Sequence, residues 1–349
     1  MNWTRGKVIG HGSSAIVSLA KGFTPEELSV VKTAELTKST LLQNESRIHS
    51  SIRCPYIIQY RGHDVTFEDG RLMYNIFMEY ASGGTLGDAI YRQGGRRRRL
   101  AEAKIKSYTK AILRGLEHLH SNHVVHCDIK GANILLMKDG EAKIADLGCA
   151  KRVTDCPSAD SSHPVLICGT PLYLAPEAAR GEQQSYPADV WALGCTVIEM
   201  ATGQPPWPGL HDQVSALFYI GFSGEVPQIP CFLSEPAKDF LGKCLKRVPE
   251  ERWSATELLN HPFVNGAEDV VTGEEHKPKL DTPTTVLDQG LWESRDGPDS
   301  APKDLVQSSH PDSPSRRIQR LLGGFPISTA AAIPNWDIDE NWMNVRSVL

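Results

Sequence analysis

Four side chains between residues 128 and 146 have the types and the spacing that phosphoryl transfer requires. Asp128, Lys130 and Asn133 share one short run, Val125-His126-Cys127-Asp128-Ile129-Lys130-Gly131-Ala132-Asn133-Ile134-Leu135-Leu136. An aspartate so placed can orient an attacking hydroxyl and take its proton. A lysine two residues on can neutralise the phosphate in transfer, and an asparagine five residues on can hold Mg²⁺. Thirteen residues beyond Asn133 comes Asp146-Leu147-Gly148. Its carboxylate offers a second hard oxygen to a metal that takes few protein ligands and leaves the rest of its sphere to phosphates and water.

Other signals flank this core. Gly10-His11-Gly12-Ser13-Ser14-Ala15, followed by Val17, is a glycine-rich turn whose backbone N–H groups can face phosphates; alone it is equally a plain hairpin. Lys32 stands by itself on an apolar stretch, where a lysine ordinarily snorkels to the surface. Glu45 lies 13 residues on, and a buried lysine requires such a carboxylate partner. The pair would hold Lys32 against α- and β-phosphates. Downstream, Gly169-Thr170-Pro171-x-Tyr173-x-Ala175-Pro176-Glu177 closes the segment. Ordinary loop turns account for each motif singly, but not for their order and spacing together.

These groups need a framework with two textures. The residue pattern predicts strands at 8–10, 15–20 and 30–32, a helix over 40–52, and strands near 57–60 and 74–80. From Ala101 onward Ile105, Tyr108, Ile112, Leu116 and Leu119 recur at helical spacing. Strand-like pieces at 124–125, 134–136 and 143–144 follow, then helices at 188–202, 213–221, 236–245 and 254–259. A strand-rich lobe with one helix therefore precedes an α-rich lobe.

In that order the motifs resemble the signature set of the protein kinases: glycine loop, strand lysine, helix glutamate, HxDxKxxN loop, DxG and APE. The resemblance covers residues 3–264 and implies an α+β, two-lobed protein kinase fold. An antiparallel β-sheet N-lobe with helix C would span about 3–80, and a mainly α-helical C-lobe about 83–264, with ATP and Mg²⁺ in the cleft between them. It implies Asp128, Lys130 and Lys32 as catalytic residues and Asn133 and Asp146 as metal ligands. Nucleotide contacts would come from Ile9, Gly10, His11, Gly12, Ser13, Ser14, Ala15, Val17, Val30, Lys32, Glu45, Met78, Glu79, Ala81 and Leu135. Met78 would be the gatekeeper, Glu79-Tyr80-Ala81 the hinge that bonds adenine, and Val17 and Leu135 the sandwich around the base. Asp189 would brace the catalytic loop, Arg252 would pair with Glu177, and Lys130 with Thr170 would mark serine/threonine specificity.

Trp3-x-Arg5-Gly6, Met78-Glu79-Tyr80-Ala81-x-Gly83-Gly84-Thr85-Leu86, His126-Cys127-Asp128-Ile129-Lys130 and His261-Pro262-Phe263 are similar to plant MEKK-like MAP kinase kinase kinases. That implies a protein substrate, the activation loop of a MAP kinase kinase, in a stress or hormone cascade with abscisic acid among the signals. The alternatives are a serine/threonine kinase of another group and a pseudokinase scaffold. Lys32, Asp128, Asn133 and Asp146 are all present, which argues against the scaffold.

Four positions depart from the pattern, of which Leu147 for phenylalanine is mild because residue 147 only packs. Cys127 replaces the arginine that pairs with an activation-loop phosphate, so activity is expected not to need phosphate there, although Thr154, Ser158, Ser161 and Ser162 are available. Val30 replaces an alanine against adenine and should tighten the pocket. His49 replaces an apolar residue of helix C. Either it loosens Lys32–Glu45 or it packs neutral, and the second is the favoured expectation.

Composition bounds the rest. With 349 residues, 40% apolar and 23% charged, the chain can hold one domain of roughly 250 residues plus an extension. No apolar run approaches the roughly 18 residues that cross a bilayer, so no membrane partner is expected. The eight cysteines form no CxxC pair and suggest reduced thiols in a cytoplasmic or nuclear protein. Residues 265–349 carry 8 basic and 14 acidic side chains and 8 prolines; the other 264 residues carry 29 basic and 28 acidic, a balance that points to no nucleic acid. The extension is expected to be largely disordered. Within it Thr282-Pro283 and Ser313-Pro314 are minimal proline-directed sites, 316–322 is a docking-peptide candidate, and 333–343, with Trp336 and Trp342, is a motif for a regulatory partner. Arg96-Arg97-Arg98-Arg99 reads as a solvated loop, with a nuclear signal or a site for an acidic partner as the alternatives.

Overall fold

Strand-forming runs separated by tight turns pair with their neighbours, and this gives the first lobe. The structure, a computed structural model, describes residues 3–12, 15–22, 28–93, 99–153 and 167–265, all within the compact unit Met1–Glu293. The expectations for Ser13, Ser14, Arg96, Arg97, Arg98, Thr154, Ser158, Ser161, Ser162 and everything beyond Asn265 lie outside the described residues.

Strands β1 (Thr4–His11), β2 (Ile16–Lys21) and β3 (Ser29–Glu35) precede helix α1 (Thr40–His49), which is followed by β4 (Tyr60–Glu68) and β5 (Arg71–Glu79). They form one antiparallel sheet in the order β1-β2-β3-β5-β4. The register sets Lys32 between Val17 and Ile76, and Val30 between Leu19 and Met78. Strand period two therefore aims Val30 and Lys32 at the same face.

The second lobe comprises α2 (Leu86–Gln93), α3 (Glu102–Ser121), β6 (Val124–Val125), β7 (Ile134–Leu136), β8 (Ala142–Ile144), β9 (Lys151–Arg152), α4 (Pro176–Ala179), α5 (Tyr186–Thr202), α6 (Gln213–Phe222), α7 (Glu235–Cys244) and α8 (Ala255–Leu259). α5 is apolar on nearly every side, as a helix at the centre of a core must be, with Trp191, Leu193, Val197 and Met200 fully buried. It stops at Gly203, whose φ of 68° lets its N–H bond the Glu199 carbonyl at 2.8 Å.

Backbone bonds tie the lobes together at the β7–β8 hairpin. On one side Ile58 N donates to Ile144 O and Ile144 N to Tyr56 O, both 2.9 Å; on the other Gly83 N donates to Leu136 O and Leu136 N to Gly84 O, also 2.9 Å. Gly83 has to be glycine, because a Cβ there would lie 2.6 Å from Leu136 O.

Two expectations need correction. The strand placed near 57–60 belongs elsewhere: β4 starts at Tyr60 and runs to Glu68, while Ile57 makes only a single bridge to Ile144. Its apolar residues are spent on the joint between lobes, not on a sheet ladder. The helix expected over 40–52 ends at His49. α2, β9 and α4 were not foreseen. A Thr85–Asp88 reciprocal cap does announce α2, since Asp88 N donates to Thr85 Oγ1 at 2.9 Å and Thr85 N to Asp88 Oδ2 at 3.1 Å.

Candidate active site

Lys32 leaves β3 towards α1, and its ammonium donates to Glu45 Oε2 at 2.7 Å and to Asp146 Oδ1 at 2.9 Å. Glu45 is sealed at 1% exposure, whereas the Asp146 side chain keeps 46% of its surface open. Burial opposes the charge of Lys32, but Asp146 and Glu45 together overcome this and raise its pKa. The two acids share that one cation unequally. The protein around Asp146 disfavours its charge, yet Lys32 draws its pKa down to about 2. Glu45 is lifted above the ordinary carboxylate range by burial, with Lys32 only partly compensating. Asp146 sits at φ 63° and also accepts Gly148 N at 3.3 Å. Its anionic carboxylate is thus fixed through one oxygen while the side chain stays open to the cleft.

His49 packs as a neutral core residue and leaves the Lys32–Glu45 bond intact. It is 1% exposed, its Nε2–H donates to the Ile58 carbonyl, and burial pushes its pKa down to about 4.

Asp128 belongs to a loop set from below by Asp189, which is buried in the first turn of α5. Asp189 Oδ2 accepts His126 N and Oδ1 accepts Cys127 N, both at 2.9 Å, and His120 Nε2 lies 2.9 Å from Oδ2. Burial works against the Asp189 charge, but His120 and His126 hold its carboxyl below the usual range. Cys127 takes a left-handed φ of 67°, at a cost on the order of 1 kcal/mol. Burial, with Asp189 behind it, pushes the Cys127 thiol pKa up, so this residue stays neutral.

The Asp128 carboxylate is the centre of a closed set of bonds. Oδ1 accepts Thr170 N at 2.9 Å and Thr170 Oγ1 at 2.7 Å; Oδ2 accepts Asn133 Nδ2 at 2.9 Å and lies 3.0 Å from Lys130 Nζ. Lys130 also donates to Thr170 Oγ1 at 2.6 Å. Asn133 thus turns its amide nitrogen to Asp128, and its Oδ1 is the atom available to a cation. Together Asn133 Oδ1 and Asp146 form a sparse hard-oxygen donor set that fits Mg²⁺.

On the sheet side, Ile9, Ala15, Val30, Met78 and Ala81 lie in one apolar cluster against which Val17 and Leu135 pack. This is the wall expected to receive a planar base. Val30 is 8% exposed and adds its two methyl groups to it. Gly12 N closes the glycine-rich turn on Ala15 O at 2.8 Å; Gly10 is half-buried and His11 exposed. Arg252 makes the expected pair with Glu177, bidentate at 2.7 Å for both bonds, with its guanidinium over the Trp191 ring.

Sequence reasoning missed several supports. His120 holds Asp189. Glu199 accepts Gly131 N at 3.2 Å and bonds the Tyr173 hydroxyl. Asn44 ties α1 to the Gly148 and Ala150 carbonyls. Lys143 on β8 donates to both Glu79 carboxylate oxygens at 2.9 Å. None of these pairs leaves a local spacing signal.

Residues 3–264 match the protein kinase domain family model. The chain is 46% identical to mitogen-activated protein kinase kinase kinase 18 of Arabidopsis thaliana over 99% of both chains. It is 48% identical to kinase kinase kinase 17 of the same plant, over 84% of this chain and 78% of that protein. Kinase kinase kinase 20 is 39% identical over 99% and 100%.

Proposed function

Because the chain belongs to the protein kinase family, as a serine/threonine kinase of the MAP kinase kinase kinase type, we propose that it phosphorylates the activation loop of a MAP kinase kinase in a stress or hormone cascade, with abscisic acid among the signals. The observation that carries this reading is end-to-end similarity, at 46% identity, to a protein named for that step. The reaction takes place in the cytoplasm and nucleus, and 333–343 supplies a regulatory partner's motif.

In this reading Asp128, held by Thr170 and Asn133, orients the substrate hydroxyl and takes its proton. Lys130 places its charge beside the transferred phosphate, and Lys32 holds the α- and β-phosphates while Glu45 fixes its position. The base lies between Val17 and Leu135, and the hinge at Glu79 and Ala81 bonds its edge. Asn133 and Asp146 would hold Mg²⁺, which would supply positive charge to offset that of the phosphates. Because Cys127 offers no cation and Asp189 already orders the loop, transfer proceeds without an activation-segment phosphate.

The test is to incubate phosphatase-treated full-length protein with ATP, Mg²⁺ and a panel of kinase-dead MAP kinase kinases, and to map the labelled residues. Activation-loop serine or threonine labelling of at least one member is expected. Labelling of a generic substrate such as casein with no MAP kinase kinase labelled sinks the substrate assignment. Loss of all transfer after phosphatase treatment sinks the phosphate-independent reading.

A further inference from the structure

Cys149 directly follows Asp146-Leu147-Gly148, and Cys168 directly precedes Gly169-Thr170. They stand at the two feet of the segment that joins the metal-binding aspartate to the threonine on Asp128. Their thiols are hydrogen-bonded to each other, and both side chains are half-buried. The backbone beside each is anchored. Asn44 Nδ2 donates to Gly148 O at 3.2 Å and to Ala150 O at 2.9 Å, and Gln184 Nε2 donates to Cys168 O at 3.0 Å. Phosphate transfer through Asp128, Lys130 and Lys32 uses neither thiol.

We propose that Cys149 and Cys168 form a redox-modification site, which a peroxide closes into a disulfide that reversibly switches off phosphate transfer. In this hydrogen-bonded pair the Cys168 sulfur attacks hydrogen peroxide first; the contact with Cys168, burial and the charge of Asp128 all raise the Cys149 thiol pKa, so Cys149 follows as the resolving thiol. The O–O bond breaks, one oxygen stays as Cys168 sulfenic acid, and the other leaves as water with the Cys168 thiol proton. The Cys149 sulfur then attacks the sulfenic sulfur. The S–S bond forms, the S–O bond breaks, and the hydroxyl leaves as a second water with the Cys149 proton. Two thiols lose two electrons and the peroxide gains them.

Closure has a mechanical consequence at the neighbouring site. A disulfide holds its sulfurs about 2.05 Å apart, well inside hydrogen-bonding contact, so Cys168 is drawn towards Cys149. Gly169 has little room to absorb the pull, because it holds a φ of 111° with its Cα packed against the Cys127 carbonyl. The displacement passes to Thr170, whose N–H and hydroxyl position Asp128.

The experiment treats purified full-length protein with hydrogen peroxide, maps linked peptides without reduction, and measures phosphorylation of casein, so that it does not depend on the MAP kinase kinase assignment. A Cys149–Cys168 linked peptide is expected, with a rate loss of about tenfold to a hundredfold, as sub-ångström to ångström displacement of a catalytic group produces. Dithiothreitol should restore the rate. Cys149→Ser and Cys168→Ser should each retain the untreated rate and resist peroxide, while Cys54→Ser should be inactivated like the wild type. Absence of the 149–168 link, a link to Cys156 in its place, or equal inactivation of Cys149→Ser and Cys168→Ser overturns the proposal.

Discussion

His49 carries a buried imidazole where an apolar side chain would do the same packing. Its folded pKa of about 4 lies below the ordinary 6.5 because burial disfavours the cation. The unfolded chain therefore binds this proton as pH falls through 6.5, while the folded chain does so only near 4. Stability from the neutral state is full above 6.5 and is lost across that window, by on the order of 3 kcal/mol in all. His49→Leu removes the titration. Urea unfolding at pH 7.5 and pH 5 should show the wild type losing about 2 kcal/mol more than the variant. Equal losses would mean that His49 is not the buried neutral group described.

At the scale of elements, the β7–β8 hairpin is a pin through the hinge. First-lobe residues Tyr56 and Ile58 bond one edge, and Gly83 and Gly84 just past the hinge bond the other. Lys143 on β8 reaches back to clamp Glu79, whose side chain also accepts Gln59 N at 2.7 Å. The Lys143 and Glu79 side chains are only 14% and 12% exposed, so the pair is largely shielded from solvent. Lys143→Met should loosen the hinge and raise KM for ATP about fivefold, equivalent to about 1 kcal/mol, with kcat little changed. Lys143→Arg should restore much of the loss. A fall in kcat at unchanged KM would instead tie Lys143 to the chemical step.

This joint also marks the limit of what local pattern reveals. Asp128, Lys130, Asn133 and Asp146 were legible because chemistry fixes their types and their spacing along one stretch of chain. Lys32–Glu45 was legible because a buried lysine demands an acid. The braces His120, Glu199 and Lys143 act on partners 69, 68 and 64 residues away, and no periodicity records such a pairing. The apolar run at Ile57-Ile58 misled for a related reason: alternation cannot distinguish a sheet strand from a ribbon spent on an inter-lobe joint.

Across the whole molecule, each lobe contributes half of a site that neither holds alone. The sheet supplies Lys32 and the apolar wall; the α5-centred lobe supplies Asp128, Lys130, Asn133 and Asp146. The Lys32–Asp146 bond at 2.9 Å joins the two halves. The buried Arg252–Glu177 pair and Asp189 serve to keep the second half rigid. The lobes and their helices other than α2 and α4 followed from texture and periodicity, whereas the bonds that lock the lobes to each other needed the structure. The most direct measurement of the central claim is the rate of serine/threonine phosphate transfer by Asp128→Asn beside the wild type, with both proteins shown to unfold at the same temperature. A fall of about 10²- to 10⁴-fold is expected, the range for removal of a positioned base. Equal rates would contradict it, and would place the chemistry outside the Asp128 cluster.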